Sequence, residues 1–545
     1  MTMLAEPLGR REFLKYLGIA VASVSAASLV GCGGDDGDGG GSGNGGGATG
    51  SGGVDTIIYA QGAEPRALDP AYFDDGESAK PAGNIYEGLY QYGDRDTTVL
   101  PCLATELPDI STDGLTYTIK LRQGVKFHDG TTFDAEAIVA SWERQLEPLL
   151  DPDMPYATFV FGEEAIGSGL KAIEVVDEYT VKLTMRAPSS AFLKNMAMTL
   201  AAPIVSPTAL AANDNNVSRT PCGTGPYKFE SWTPADNVKL VAFDDYWDTA
   251  NKAKTKNIVF KVIPENATRV TALLNGEVDI IDGVDVSSAE QILNGGYSLF
   301  SEPGMTINYM AFNTESGVCT DQAVRKAIAQ AINVEELVYS LYGEYAEVAN
   351  SVMPHFMAPY DVSIVQTAYD PEASKTALAA KNITEIKCIA YTNPRPYNTR
   401  GQALAETIQG YLDKVGVKMI IDTYDWTTYK SKVQTESFDI CFYGWTGDNG
   451  DPDNFMNLLA DSNWSMNVAR FDDPAYKALI KKGLETPEGP DRDAVYKQCE
   501  QMVADKQPWL VLSHSKNLCG LNPKVKDFFY HPTGSTFLKG VTISE

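Results

Sequence analysis

Two short segments hold the residue types from which a recognition site could be made. Asn393-Pro394-Arg395-Pro396-Tyr397-Asn398 carries one cation between prolines beside an aromatic ring, and Gly444-Trp445-Thr446-Gly447-Asp448-Asn449-Gly450-Asp451-Pro452-Asp453 carries three carboxylates behind a tryptophan. Proline holds φ at about −65°, so the loop around Arg395 starts with little freedom to lose. A guanidinium grips a carboxylate through two parallel hydrogen bonds, and an aspartate grips an ammonium through a charge-assisted one. Facing one crevice, Arg395 and Asp448 suit a ligand that is anionic at one end and cationic at the other. Calcium is the competing use of Asp448, Asp451 and Asp453, but the Gly and bidentate Glu positions of an EF-hand loop fall on Asp453 and Leu459. A hydrolase using Asp448 and Asp451 as acid and base is the alternative from a different class. No other motif supports catalysis: there is no Gly-x-Ser-x-Gly, no His-Glu-x-x-His and no phosphate-binding loop, and His128, His355, His514 and His531 are scattered. The expectation is a binding protein and not an enzyme, with no cofactor and no metal.

The elements that must carry these loops are legible from hydrophobic periodicity. Residues 386–391 read as a strand, and Leu404, Ile408, Tyr411, Leu412 and Val415 mark a helix closed by Gly416. A second strand over 417–421, a second helix over 426–434 and a third strand over 440–443 complete a βαβαβ unit, hence a parallel sheet with right-handed crossovers. Both loops then leave carboxyl ends of strands, where open α/β sheets bind ligands. Upstream, Thr116 to Arg122 and Tyr179 to Met185 alternate polar and apolar residues as half-buried strands do. From Thr320 the period changes, with Val324, Ala327, Ile328, Ala331 and Ile332 on one helical face.

At 545 residues the chain predicts about three or four domains. Its 72 acidic against 44 basic residues give a net charge of −28, a surface that repels phosphate backbones, so nucleic acid is not an expected partner. Arg10-Arg11-Glu12-Phe13-Leu14-Lys15 precedes a short Ala/Ser-rich apolar stretch and reads as an export signal over 1–31. The paired arginines are twin-arginine-like, with Gly9 where that pattern has Ser or Thr, so the general secretory route stays open. Leu29-Val30-Gly31-Cys32 resembles a lipobox, which makes Cys32 the lipidated residue and the membrane a partner through its anchor. Residues 33–53 are nearly all small and polar, a flexible linker. Its Gly41-Ser42-Gly43-Asn44-Gly45-Gly46 matches a dinucleotide fingerprint without the strand and helix that motif requires. No later segment reaches the roughly 20 apolar residues of a membrane span. Beyond Cys32 seven cysteines remain, an odd number with no CxxC pair, and several sit among apolar neighbours as small hydrophobes do.

Leu115 to Gly130 (LTYTIKLRQGVKFHDG) and Thr220 to Tyr227 (TPCGTGPY) resemble segments of the extracytoplasmic solute-binding proteins of ABC importers for peptides and nickel. Arg395-Pro396-Tyr397-Asn398 and Gly444 to Phe455 are similar to its dipeptide-binding branch. The resemblance spans nearly everything from Thr56 to Glu545. It implies an α/β, two-lobed periplasmic-binding-protein (Venus-flytrap) fold with three domains and mixed sheets flanked by helices. Domain I would comprise 54–87, 222–303 and 514–545, domain II 88–221 and domain III 304–513. It further implies that Asp448 pairs with the ligand's α-ammonium and Arg395 with its α-carboxylate, and that Tyr397 and Trp445 line the pocket. The implied ligand is a dipeptide or short peptide, the implied partners are ABC permease subunits, and the protein is expected as an extracytoplasmic, membrane-anchored monomer. Other cargoes of the same fold, a nickel chelate, haem, glutathione or an oligosaccharide, stay open. One departure is that Ala60 and Val278 stand where the dipeptide binders have disulfide-forming positions.

Overall fold

The computed structural model describes residues 55–146, 149–162 and 167–544. The export signal, Cys32 and the glycine-rich linker lie outside the described residues.

Twelve strands form one mixed sheet. Six come from the first part of the chain: β1 (Thr56–Gln61), β2 (Tyr227–Thr233), β3 (Asn237–Ala242), β4 (Asn257–Val262), β5 (Ile280–Ile281) and β6 (Ser298–Pro303). Six follow: β7 (Thr306–Phe312), β8 (Ala346–Val348), β9 (Glu385–Tyr391), β10 (Lys418–Tyr424), β11 (Ile440–Thr446) and β12 (Trp509–Leu521). The order is β10-β9-β11-β7-β12-β5-β1-β4-β3-β2, with β6 and β8 also paired to β12. The βαβαβ reading holds. Strand β9 runs parallel to β10, Glu385 opposite Lys418, and parallel to β11, Cys388 opposite Ile440. The crossovers are α1 (Gly401–Lys414) and α2 (Trp426–Thr435). Helix α1 buries Leu404, Ile408, Tyr411 and Leu412, and Gly416 follows its end at φ +85°, where a side chain would be strained.

The helix read from the 320–332 pattern is present and ends at Gln330. The structure has a helix over Gln322–Gln330, capped by Asp321, and another over Val334–Tyr342, capped by Asn333. Ala331 and Ile332 are buried as their period requires, yet the Asn333 side chain accepts from the Glu336 N–H and starts a new helix.

Buried apolar residues segregate into bodies. One cluster runs from Met305 to Leu512 around β7, β9 and β11, with Tyr309 stacked on Trp509 at 3.9 Å. A second, between Leu89 and Cys222, covers a separate four-stranded antiparallel sheet and contains Phe127, Trp142 and Phe161. A third and fourth surround β1, β4 and β5. Ala60 and Val278 share the fourth cluster. All seven cysteines among the described residues are buried and free.

Two adjacent antiparallel strand segments connect the 305–512 body to the rest. Strand β12 pairs with β7 at its start and with β6 and β5 at its end, and the chain passes from β6 to β7 through Gly304. Gly304 N–H donates to the Ser515 carbonyl at 3.1 Å, and a Cβ there would lie 2.9 Å from that same oxygen. Only glycine lets the two backbones approach so closely.

Candidate functional site

Because β9 and β11 are parallel neighbours, their carboxyl ends deliver the Arg395 loop and the Asp448 loop to one edge of the sheet. Each loop is built differently.

The Asp448 loop follows β11 and leads into a short helix over Pro452–Met456. Asn454 braces it: its side-chain oxygen accepts from the Asp448 N–H (2.9 Å) and from Trp445 Nε1 (3.0 Å), while its Nδ2 donates to Asp448 Oδ2 (3.1 Å). Tyr156, from a remote part of the chain, donates its hydroxyl to Asp448 Oδ1 at 2.8 Å. No cation pairs with Asp448 among the described residues, and burial pushes its carboxyl up to about 6 against the hydrogen bonds from Tyr156 and Asn454.

The other aspartates are otherwise engaged. Arg492 grips Asp451 with two hydrogen bonds (3.0 and 2.7 Å), and Asp451 also accepts from the Asp453 N–H as the helix N-cap. Asp453 accepts from the Tyr496 hydroxyl at 3.1 Å, and burial together with Asp451 raises its carboxyl to about 7. The calcium alternative finds no support, since among the described residues no group of three or more potential ligands could hold a metal ion. Asp451, its oxygens committed to Arg492, is no free acid or base beside Asp448.

The loop is also held from across the cleft. Lys194 Nζ donates to the Gly450 carbonyl (3.0 Å), and Asn449 Nδ2 donates to Asn195 Oδ1 (2.7 Å). Gly450 has φ +65°, and a Cβ there would fall 2.2 Å from the Thr97 hydroxyl oxygen. The Leu89–Cys222 body therefore closes directly over this loop.

The Arg395 loop rests on aromatic rings. Reciprocal backbone hydrogen bonds between Arg395 and Asn398 (2.9 and 3.0 Å) close a tight turn over Pro396 and Tyr397. The Tyr342 hydroxyl and the Arg400 N–H both donate to Asn398 Oδ1 and pin the turn. The guanidinium carbon of Arg395 lies 4.3 Å over the Trp426 ring. Trp426 stacks on Tyr429, contacts Tyr443 at 5.3 Å, and donates its backbone N–H to Asn393 Oδ1 at 2.7 Å. Arg395 makes no ion pair among the described residues, and its buried Nε has no hydrogen-bond partner.

Of the two expected wall residues, Tyr397 is buried, stacked on Tyr443 and packed against Gly444, its hydroxyl unpartnered. Trp445 is half-buried and engaged with Asn454. Tyr397 thus touches β11 and links the two loops through Tyr443 and Gly444. Sequence reasoning missed Tyr156, Asn454, Lys194, Arg492 and Trp426. Only Trp426 had a usable signal, as the first helical residue beyond the carboxyl end of β10.

A two-lobed α/β body whose lobes are joined by two strand segments is the architecture of periplasmic binding proteins. The chain belongs to the bacterial extracellular solute-binding proteins, family 5, whose sequence pattern matches residues 98–467. It is 28% identical over 547 residues to haem-binding protein A of Haemophilus influenzae, covering 96% of this chain and 99% of that protein. It is 29% identical over 514 residues to the dipeptide-binding protein of Escherichia coli, covering 90% and 94%. Among solved structures, the binding protein DppA of Helicobacter pylori in complex with the peptide STSA superposes with a TM-score of 0.74 at 28% identity, covering 90% of this chain and 98% of that one. These relatives are binding proteins and not enzymes, and the family is exported and extracytoplasmic. No helix among the described residues is long and apolar enough to cross a membrane.

Proposed function

We propose that this protein captures dipeptides or other short peptides between its lobes and delivers them to the permease subunits of an ABC importer. The observation that carries the reading is the pair of uncompensated charges, Asp448 on one loop and Arg395 on the other, at a shared sheet edge. A peptide's α-ammonium completes Asp448, and its α-carboxylate completes Arg395 through the forked guanidinium. Tyr397 and Trp445 wall the site between them. The relatives named for dipeptides and solved with STSA support a peptide cargo. The apolar clusters and the crossing at Gly304 support domain I over 54–87, 222–303 and 514–545, domain II over 88–221 and domain III over 304–513. Cys32 tethers the body to the membrane by its lipid.

Calorimetry with free, N-acetylated and C-amidated dipeptides tests the reading. Losing either terminal charge leaves a buried partner unpaired, which typically costs about 2–5 kcal/mol. The expected result is therefore a loss of at least 30-fold for each blocked form. Equal binding of blocked and free forms overturns the assignment. So does mass spectrometry of ligand released from the folded protein if it finds haem, glutathione, a nickel chelate or a sugar in place of peptides.

A further inference from the structure

A cavity of about 180 Å³ opens where the two bodies meet beside the strand crossing. Its walls are aromatic and come from three regions: Phe300 on β6, Phe356 after β8, and Phe529 with Tyr530 after β12. Arg95, Glu302 and His355 stand exposed at its rim. Residues from both lobes and the crossing line it, so lobe closure shapes it.

Two hydrogen-bond connections tie the cavity to the charged loops. Pro532, a wall residue, accepts from the Met305 N–H at 3.1 Å, and the Met305 carbonyl accepts from Gly447 N–H at 2.6 Å, one residue before Asp448. Pro303, also in the wall, precedes Gly304, which bonds Ser515, and Ser515 donates its hydroxyl to the Tyr397 carbonyl at 3.0 Å, two residues after Arg395. The cavity thus abuts the backbone from which both loops are supported. Nothing in the charge pairing uses it.

We propose that this aromatic cavity receives a side chain of the captured peptide, so that the protein selects short peptides carrying an aromatic or branched aliphatic residue. The inference rests on the peptide reading above and adds the side-chain class. Size supports it: an apolar cavity of about 150 Å³ accommodates a benzene ring, whereas pockets that enclose larger ligands run to roughly 300–1,000 Å³. At 180 Å³ the space suits one phenyl or leucyl group. Rings also present flat faces to an apolar guest, while the exposed rim charges keep the entrance wet.

The test is calorimetry on the full exported chain with Ala-Ala, Ala-Leu, Leu-Ala, Ala-Phe and Phe-Ala, repeated on Phe356→Ala and on Phe529→Trp. Wild type should bind at least one bulky peptide about 10-fold or more tighter than Ala-Ala, the gain expected from burying a large apolar side chain. Phe529→Trp narrows the cavity and should cut that preference to below about 3-fold while leaving Ala-Ala within about 2-fold. Phe356→Ala removes a wall and should do the same. Binding of all five peptides with equal affinity overturns the cavity assignment alone, as does an equal loss for small and bulky peptides in both variants. Failure of every peptide, Ala-Ala included, overturns the peptide reading and the cavity assignment with it.

Discussion

The Arg395 loop and the Asp448 loop leave neighbouring strands at the same edge, yet one is held by rings and the other by charges. Arg395 rests on Trp426, its turn is pinned by Tyr342, and the Ser515 hydroxyl holds the Tyr397 carbonyl, so these supports lie on the 305–512 body and the crossing strand β12. Asp448 is positioned by Asn454 on its own body and by Tyr156 on the other, while Lys194 and Asn195 hold the residues just after it. The supports of the cation therefore come from one side of the cleft, whereas those of the anion come from both. On the proposed reading, a ligand would dock first on the Arg395 side and then be enclosed by the Asp448 side, biasing the open–closed equilibrium through contacts available only when shut.

Breaking the charged side at its base should have the largest effect. Arg492→Leu leaves the buried Asp451 carboxylate without its partner, and removing one member of such a pair typically costs about 3–5 kcal/mol. Urea unfolding should show a loss of that order, and calorimetry a large drop in peptide affinity. A variant of unchanged stability would mean that Asp451 is neutralised some other way.

Acidity should separate the two loops next. Asp448 must be ionised to bind an ammonium, and its carboxyl sits at about 6, so affinity should be full above that pH and fall roughly tenfold per unit below it. Peptide binding at pH 5.5 should release protons, readable as a buffer-dependent heat. Without ligand the sign reverses: a carboxyl raised above 3.8 favours the folded state while protonated, and that contribution is lost as pH rises through 6. Affinity flat between pH 5 and 8 would remove Asp448 from ammonium binding.

The smallest change should come from the aromatic side. Trp426→Leu deletes the ring under Arg395, and such contacts contribute about 0.5–1 kcal/mol when exposed and about 2 when desolvated. Free-acid dipeptides should weaken about 3- to 30-fold, while C-amidated ones, which do not engage the guanidinium, should change little. Equal losses would show that Trp426 supports the wall and not the cation.

These contrasts explain what the sequence could and could not disclose. The βαβαβ unit was readable because its apolar periods are local, and Arg395 and Asp448 stood out because short loops at strand ends concentrate unusual residues. Tyr156 and Lys194 reach the Asp448 loop over sequence separations of 292 and 256 residues, and no local pattern encodes such a meeting. The helix over 320–332 was legible for the same local reason as the βαβαβ unit, and only its end differs: the apolar period runs on through Ile332, whereas the helix stops at Gln330 and the Asn333 cap starts the next one. The cavity beside the crossing was invisible, since its rings come from three distant segments.

The buried thiols have a consequence for the protein's life outside the cytoplasm. Burial holds Cys222, Cys441 and Cys499 up to about 12, so almost none is present as the thiolate that reacts. An oxidising surrounding finds almost no thiolate among the described cysteines of the intact molecule. The same surrounding meets seven at once when the chain opens, each free to bond to a neighbouring molecule. Each of these seven is thus a silent alarm: chemically mute while the fold lasts, and a source of irreversible cross-linking the moment it fails.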